Sequence, residues 1–311
     1  MTRRLIALTA LVLCCAGAPA RAQTPLAEWT AWLANDLRVA TNITYLTANN
    51  WEAKLDVYVP RSGGPHPTVL QFHGGGWVGG SREGVLLRAL PLVEMGFAVV
   101  NVSYRLGRVS PAPAAVEDCL CALRWVIRNA KEYNFDVNRI VTTGYSAGGH
   151  LALTTAMIPA SAGLDRQCPG TEPLRVAAVV NWYGITDVAD LIDGANTRSY
   201  AVEWLGSRPD RAEAARRVSP LTYVRRDLPP ILTIHGDADP TVPYAHATRL
   251  HAALQQAGTT SELHTVPKGL HGNFPRPDQL RAVEAMRAFL TKHGIAPRQV
   301  TTSAAATGAS R

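Results

Sequence analysis

The sequence lacks the features of several large protein classes. Only 18% of its 311 residues are charged, and its net charge of +7 is spread along the chain without blocks of like charge. No basic run is interleaved with aromatic residues, so the composition does not favour nucleic-acid binding. No repeat with a period of about 20–50 residues is present, which argues against a solenoid or a propeller. A hydrophobic content of 47% is instead typical of a globular protein with a large core.

Cysteine is scarce, with 5 residues in the chain, and no CxxC motif or Cys/His pair has zinc spacing. We therefore expect no metal site. Cys119 and Cys121 are two positions apart on a predicted helix, so they point to different sides and do not pair with each other. If a disulfide forms, it joins Cys168 to one of them. The alternative is three small, buried side chains.

The N-terminal segment has the pattern of a secretory signal. Arg3 and Arg4 precede an apolar run over residues 5–18, and Ala22 ends a small-residue cleavage pattern. The run is shorter than the ~20 residues that a membrane-spanning helix needs. We expect residues 1–22 to be a cleaved signal peptide and the mature protein to be periplasmic or secreted, without a stable membrane anchor. The alternative is an N-terminal anchor.

The hydrophobic patterns that follow predict strands alternating with helices. Residues 42–46 and 53–59 alternate as half-exposed strands do. Later apolar runs are typical of strands buried on both faces of a parallel sheet, at 68–72, 97–102, 139–143, 176–182 and 231–234. A last strand is expected at 263–266. Helical patterns lie at 84–95, 114–132, 147–157, 244–257 and 278–293. This alternation predicts a doubly wound α/β domain with helices on both faces of the sheet.

The chain shows no internal linker or break in composition, so we predict one domain over residues 23–295. The less regular stretch 187–221 is expected to form a small cap at the carboxyl edge of the sheet, where ligands bind in such folds. The tail at 296–311 is small and polar, and we expect it to be disordered.

A candidate nucleophile lies between a predicted strand and a predicted helix. Gly144-Tyr-Ser146-Ala-Gly148 spells G-x-S-x-G, the nucleophile elbow, in which the serine needs flanking glycines because the backbone is strained and its neighbours are close. The following helix N-terminus stabilises negative charge. The alternative is a glycine-rich turn with an incidental serine, but the strand–helix context favours Ser146 as a nucleophile.

A serine hydroxyl needs a base, and the base needs a carboxylate. Among the 9 histidines, His271 lies in the loop after the last predicted strand, at the edge that also carries Ser146. The preceding strand is followed by Asp237 and Asp239. We prefer Asp239 as the acid, because Asp237 comes directly after the strand and is placed to fix the turn. The order serine, aspartate, histidine is that of the α/β-hydrolases.

Three consecutive glycines at 74–76 follow an early buried strand. We predict that the N–H groups of Gly75 and Gly76, together with that of Ala147, bind a developing oxyanion. The alternative is a flexible loop. His73 is expected to brace this loop by hydrogen bonding rather than to act as a base.

The remaining aromatic residues and histidines are assigned by position. Trp77, Tyr145, Trp182 and Tyr183 fall near the elbow or at strand ends, which makes them candidates for a substrate pocket, with core packing as the alternative. His150 is expected on the packing side of its helix. The histidines in later helical patterns are expected at the surface; they are His246, His251 and His293.

Taken together, these segments resemble the α/β-hydrolase superfamily, and within it the hormone-sensitive-lipase-like esterases and the bacterial feruloyl/acetyl esterase (BD-FAE-like) group. The resemblance covers about residues 40–293 and is carried by His73-Gly-Gly-Gly-Trp77, Gly144-Tyr-Ser-Ala-Gly-Gly-His150, Asn181-Trp-Tyr-Gly-Ile-Thr-Asp187, His235-Gly-Asp-Ala-Asp-Pro-Thr-Val-Pro243 and His271. It implies an eight-stranded, mostly parallel sheet with a small cap. It also implies a Ser146, Asp239 and His271 triad.

The function implied by this resemblance is that of a secreted serine carboxylic ester hydrolase. Its substrates would be short-chain or aromatic esters of the acetyl or feruloyl type, free or carbohydrate-linked, cleaved through an acyl-enzyme without a cofactor. One alternative is an arylformamidase-like amidase, or a peptidase, that uses the same triad. Another is a non-catalytic binding protein with the hydrolase fold.

Overall fold

The structure is a computed structural model that describes residues 25–296. The predicted signal peptide at 1–22, and all but the first residue of the predicted tail at 296–311, lie outside the described residues. The first helix, α1 (Pro25–Asp36), belongs to a unit that ends at Asp36, and a second unit begins at Leu37. No helix within residues 25–296 combines the length and the apolar character needed to cross a membrane.

The second unit is built on one eight-stranded sheet with the strand order β1-β2-β4-β3-β5-β6-β7-β8. The strands are β1 (Leu37–Ala48), β2 (Trp51–Pro60), β3 (His66–Phe72), β4 (Ala98–Val102), β5 (Phe135–Tyr145), β6 (Ala178–Trp182), β7 (Ile231–Gly236) and β8 (Ser261–Val266). The β1–β2 and β2–β4 pairs are antiparallel, and all later pairs are parallel. Strands β3, β4, β6 and β7 are buried along their whole length, as their continuous apolar runs predict. The predicted fold class is therefore confirmed.

The helices that follow the strands are α2 (Leu90–Glu94), α3 (Ala114–Arg128), α4 (Ala130–Tyr133), α5 (Ala147–Met157), α6 (Ser199–Leu205), α7 (Arg211–Arg217), α8 (Ala245–Gln256) and α9 (Arg276–Lys292). The predicted helix at 84–95 is instead a 3-10 helix, Glu83–Ala89, followed by α2. Pro91 explains the division, because proline has no N–H to continue a helical ladder and is accepted in a first turn. Helices α8 and α9 are followed by Gly258 and Gly294 at positive φ, as predicted.

The parallel strands end together at one edge of the sheet, and this alignment positions the site. The aligned pairs at this edge are Phe72 with Gly144, Tyr145 with Trp182, and Gly236 with Val266. The loops that leave β3, β5, β7 and β8 therefore start side by side. Residues far apart in the chain meet there without any further constraint.

The disulfide alternative is resolved in favour of Cys121, which is bonded to Cys168, while Cys119 is free and buried. The bond joins α3 to the loop after α5. Arg124, one turn further along α3, also binds this loop, through Asp165 at 2.6 Å and Glu172 at 2.8 Å. The loop is thus fastened to α3 by both covalent and ionic contacts.

The stretch predicted as a cap, 187–221, contains α6, α7, two short 3-10 helices and the start of a third. Trp204 of α6 is fully buried, and its ring stacks on that of Trp77 with 4.1 Å between centroids. Ala112 N–H donates to the Trp204 carbonyl at 2.9 Å. The cap is therefore packed onto the loop that follows β3.

Candidate active site

Ser146 lies on a strained turn between β5 and α5, with φ 59° and ψ −120°. Glycines are required on both sides of it. A Cβ on Gly144 would lie 2.3 Å from the Gly148 carbonyl oxygen, and one on Gly148 would lie 2.1 Å from the Phe72 carbonyl oxygen. The Ser146 N–H donates to the Trp182 carbonyl at 2.9 Å. Sequence and geometry here agree on a nucleophile elbow.

His271 connects Ser146 to Asp239. Its Nε2 lies 2.8 Å from the Ser146 hydroxyl, and its Nδ1 lies 2.7 Å from Asp239 Oδ2. An ionised carboxylate only accepts, so Nδ1–H donates to Asp239 and Nε2 is left to accept the serine O–H. The three side chains predicted to form the triad are therefore brought together, in the arrangement that removes a proton from serine.

Asp239 is held as a buried carboxylate. Its Oδ1 accepts the N–H groups of Thr241 at 2.8 Å and Val242 at 3.0 Å. Burial alone would raise the pKa of Asp239, but hydrogen bonds from His235, His271 and the Val242 N–H, with the charge of His271, hold this pKa well below its ordinary value. The carboxyl group therefore stays ionised and orients the His271 ring.

Asp237 is not in contact with His271. Its Oδ1 accepts the Lys268 N–H at 2.6 Å, and the side chain is exposed. It joins the loop after β7 to the loop after β8. This is the turn-fixing position that the sequence predicted for Asp237, and it leaves Asp239 as the acid in contact with the base.

His235 is a second histidine next to Asp239, and no role was predicted for it. Its Nε2 lies 3.2 Å from Asp239 Oδ2 and 3.0 Å from the Val242 carbonyl, and the ring is fully buried. It is the first residue of the motif that contains Asp239. Its four-residue separation from the acid was the only available signal.

The glycine loop after β3 takes conformations that only glycine tolerates well. Gly75 has φ 116° and Gly76 has φ 59°; a Cβ would lie 2.2 Å from the Gly79 carbonyl oxygen at Gly75 and 2.7 Å from Tyr200 Cβ at Gly76. Within residues 25–296, the N–H groups of Gly75, Gly76 and Ala147 have no hydrogen-bond acceptor. The loop thus leaves unpaired donors beside Ser146.

His73 braces this loop, as predicted. Its Nδ1 lies 2.7 Å from the Gly74 carbonyl, and its ring stacks on Tyr104 at 4.2 Å between centroids. The Tyr104 hydroxyl in turn donates to the His73 carbonyl at 2.8 Å. Burial lowers the pKa of His73 to about 4, so the ring is neutral near pH 7.

Two of the four predicted pocket residues line the candidate cavity and two do not. Tyr145 and Tyr183 lie on its wall, but the predictions for Trp77 and Trp182 are wrong. Trp77 turns inward at a positive φ and is fully buried, and its Nε1–H donates to His150 Nδ1 at 3.1 Å. Trp182 is the last residue of β6, and its side chain is buried. Position near a strand end does not reveal which face an aromatic ring occupies.

Two buried histidines connect helices α5 and α8 to neighbouring loops. His150 lies between Trp77 and the Val218 carbonyl, 2.7 Å from its Nε2, and burial lowers its pKa to about 3. His246 was expected at the surface and is instead fully buried, with the Thr186 N–H donating to its Nδ1 at 3.1 Å. The helical pattern of α8 did not reveal that this position faces the loop after β6. Burial lowers the pKa of His246 to about 4.

The cavity beside Ser146 has a volume of about 460 Å³. Its wall includes residues from the glycine loop, the 3-10 helix after it, the elbow, the cap and the late loops. The main side chains on the wall are Val85, Arg88, Tyr145, Ser146, Tyr183, Tyr200, Thr241 and His271. Arg88 and Tyr200 were not predicted, because Arg88 lies in a pattern read as an ordinary helix and Tyr200 in an irregular stretch.

In the part of the chain that the structure describes, no group of three or more His, Cys, Asp or Glu side chains is arranged to hold a metal ion. The chemistry available at the site is that of the chain's own hydroxyl, imidazole, carboxylate and backbone N–H groups. Such a set can perform acyl transfer through a covalent intermediate.

Comparisons with known sequences agree with this geometry. The sequence model of the family described as BD-FAE matches residues 55–254. Esterase LipQ of Mycobacterium tuberculosis is 29% identical over 233 residues, which cover 72% of this chain and 55% of LipQ. The chain thus spans about half the length of the curated relatives it matches.

Comparisons with solved structures cover more of both chains. A truncated carbohydrate esterase from gut microbiota superposes with a TM-score of 0.70 at 28% identity, over 82% of this chain and 96% of that chain. The butyrate-bound esterase from Thermogutta terrifontis gives a TM-score of 0.71 at 27% identity, over 85% and 97%. The same esterase has also been solved phosphorylated by paraoxon.

Proposed function

Given that the chain belongs to the BD-FAE family, we propose that it is a serine carboxylic ester hydrolase that acts on short-chain or aromatic esters of the acetyl or feruloyl type. The observation that carries the proposal is the continuous hydrogen-bonded series from Ser146 through His271 to the buried Asp239. Esters are the substrates named for the related proteins.

In the first half of the reaction, Ser146 Oγ attacks the ester carbonyl carbon while its proton passes to His271 Nε2. Asp239 stabilises the imidazolium that forms. The N–H groups of Gly75, Gly76 and Ala147 receive the tetrahedral oxyanion, and loss of one such donor typically raises the barrier by about 2.7–4 kcal/mol. The carbon–oxygen bond to the alcohol then breaks, and His271 returns the proton to the departing oxygen.

In the second half, water takes the place of the alcohol. His271 Nε2 removes a proton from the water while the water oxygen attacks the acyl carbon. The same three N–H groups then stabilise the second oxyanion. Collapse of this intermediate breaks the bond to Ser146 Oγ, which recovers its proton from His271. The acid leaves, and the three side chains return to their starting protonation states.

The size and lining of the cavity support small or aromatic acyl groups. A volume of about 460 Å³, with three tyrosine rings on its wall, suits a short acyl chain or a single ring. The related Thermogutta terrifontis esterase has been solved with butyrate and with propionate. The proposed substrates include both free and carbohydrate-linked esters.

Activity and covalent labelling test the proposal together. The purified chain is assayed with para-nitrophenyl acetate and butyrate, methyl ferulate and formylkynurenine, and is treated with paraoxon before mass spectrometry. We expect ester hydrolysis, a diethylphosphoryl adduct on Ser146, and a loss of about six orders of magnitude in kcat for Ser146→Ala. Faster cleavage of formylkynurenine than of any ester would favour the amidase alternative. A chain that hydrolyses none of these substrates and takes no label would be the non-catalytic alternative.

We also propose export to the periplasm or the medium. The leader pattern at 1–22 supports it, and the Cys121–Cys168 disulfide is of a kind that persists in oxidising compartments. Osmotic-shock fractionation and N-terminal sequencing of the released protein test it. A start at Gln23 is expected; a start at Met1 in a protein that stays with the membrane would contradict it.

A further inference from the structure

Arg88 occupies an unusual position on the cavity wall. It lies on the 3-10 helix Glu83–Ala89, its Nη1 donates to the Tyr183 hydroxyl at 2.8 Å, and its Cζ lies 4.4 Å from the centre of the Tyr145 ring. Both tyrosines line the same cavity. The guanidinium is therefore held against two aromatic side chains beside Ser146.

The guanidinium has no anionic partner in the described part of the chain. Arg82, on the preceding turn, pairs with Asp56 at 2.8 Å and with Glu83 at 3.0 Å, whereas Arg88 forms no ion pair. A guanidinium has five N–H donors, and Tyr183 engages one of them. The remaining donors are available to a molecule in the cavity.

The fixed charge on the cavity wall is positive. Among its described lining residues none is Asp, Glu or Lys, and Arg88 is the side chain with a permanent charge. Asp239 lies behind His271 with its side chain fully buried. A bound anion would thus meet one fixed positive charge and no facing carboxylate.

We propose that Arg88 binds a carboxylate of the substrate, so that the preferred esters carry a negative charge beside the bond that is cleaved. This inference rests on the proposed esterase activity and specifies its substrate class. Guanidinium and carboxylate form two parallel, charge-assisted hydrogen bonds, which give both affinity and orientation.

The distance from Arg88 to the reacting groups is set by Tyr183. The ring of Tyr183 lies 4.8 Å from the ring of His271, and its hydroxyl carries Arg88. Arg88 and His271 therefore contact the same tyrosine side chain. Monoesters of short dicarboxylic acids and esters of hydroxybenzoic acids both carry a carboxylate a few atoms from the ester carbonyl.

Two matched substrate pairs test the inference and locate the charge. Monomethyl glutarate against dimethyl glutarate, followed by proton release, places it on the acyl side. Para-acetoxybenzoate against para-acetoxybenzamide places it on the alcohol side. For the wild-type enzyme we expect a higher kcat/KM for the anionic member of one pair, and we expect added salt to reduce this preference because it screens charge.

Three variants separate the charge of Arg88 from its structural contacts. Arg88→Met keeps the length of the side chain and should lower the anionic-to-neutral ratio of kcat/KM on the order of tenfold. Arg88→Lys keeps the charge without the planar fork and should restore part of the ratio. Arg61→Met removes one exposed charge outside the cavity and should leave the ratio unchanged. Labelling of each variant by paraoxon verifies that the active site is assembled.

The outcomes distinguish this inference from the proposed function. If wild-type and Arg88→Met proteins have the same ratio for both pairs, the inference is wrong while the esterase activity stands. If the wild-type protein hydrolyses none of the four esters, carboxylate binding is tested separately from catalysis. The Ser146→Ala protein is then titrated calorimetrically with monomethyl glutarate and with para-hydroxybenzoate. Binding that disappears when Arg88→Met is added would support the carboxylate site, and no binding of either anion would overturn it.

Discussion

His235 and His271 approach the same oxygen of Asp239, at 3.2 Å and 2.7 Å. The two rings differ in exposure, since His235 is fully buried and His271 is partly open to the cavity. Only His271 reaches Ser146. One carboxylate oxygen thus serves a ring that moves protons and a ring that helps fix the carboxylate in place.

Removing the inner ring should therefore weaken catalysis through Asp239. His235→Phe deletes a hydrogen bond to a buried carboxylate, so we expect kcat to fall about tenfold or more, equivalent to about 1.5 kcal/mol. Loss of this donor also raises the pKa of Asp239. His235→Gln, which can present an N–H, should recover part of the activity. An unchanged kcat in His235→Phe would show that the ring only fills space.

A methyl group at Gly76 should displace an oxyanion donor. Its Cβ would lie 2.7 Å from Tyr200 Cβ, at a φ of 59°. We expect Gly76→Ala to lower kcat by about two to three orders of magnitude, the effect of losing one oxyanion donor. Gly79→Ala, in the same loop, is the control, because its Cβ would meet its nearest neighbour, the Gly75 carbonyl oxygen, at 3.8 Å. Equal losses in the two variants would contradict the assignment.

Acid should destabilise the fold through its buried histidines. The pKa of His150 is lowered by burial to about 3, against about 6.5 in an unfolded chain. Between these values the unfolded state binds more protons, so the free energy of unfolding falls as the pH falls, by up to about 1.4 kcal/mol per pH unit for this residue. The low pKa of Asp239 acts only below pH ~4, where an unfolded aspartate becomes protonated.

Urea unfolding between pH 7 and pH 5 measures this dependence. His150→Gln should be less stable than wild type at pH 7, since it disturbs the contacts to Trp77 and Val218. Its stability should nevertheless change less with pH. The same slope in both proteins would show that other groups control acid unfolding.

The disulfide should contribute measurably to stability. It closes a loop with a sequence separation of 47 residues, for which about 2–4 kcal/mol is typical. Cys121→Ser should lower Tm, and a reducing agent should lower the Tm of wild type to a similar value. Cys119→Ala, at the free and buried cysteine, should keep the response to the reducing agent. A wild-type Tm that is insensitive to reduction would contradict the prediction.

Sequence reasoning located the groups whose position follows from strand ends. Ser146, Asp239 and His271 follow β5, β7 and β8, and parallel strands end at a common edge, so their convergence could be predicted from order and motif. The glycines of the loop after β3 could be predicted for the same reason. The apolar runs that alternate with helical patterns predicted a doubly wound α/β domain, and the family resemblance implied that its sheet has eight strands.

Where the role of a side chain depends on packing, it could not be predicted from the sequence. Trp77 turns inward and His246 faces the loop after β6, and neither direction is encoded in local spacing. Arg88 lines the cavity from a 3-10 helix that the sequence pattern predicted as part of an ordinary helix. Tyr200 reaches the wall from a short helix with no regular pattern around it.

The stack of Trp204 on Trp77 constrains how the specificity of this protein can change. Trp77 lies next to Gly76, and its indole also holds His150 of α5. Wholesale exchange of the segment around Trp204 would remove support from beneath the catalytic glycines. Single replacements at Tyr200, whose ring borders the cavity, are a safer way to introduce new substrate preferences. They leave the stack of Trp204 on Trp77 intact.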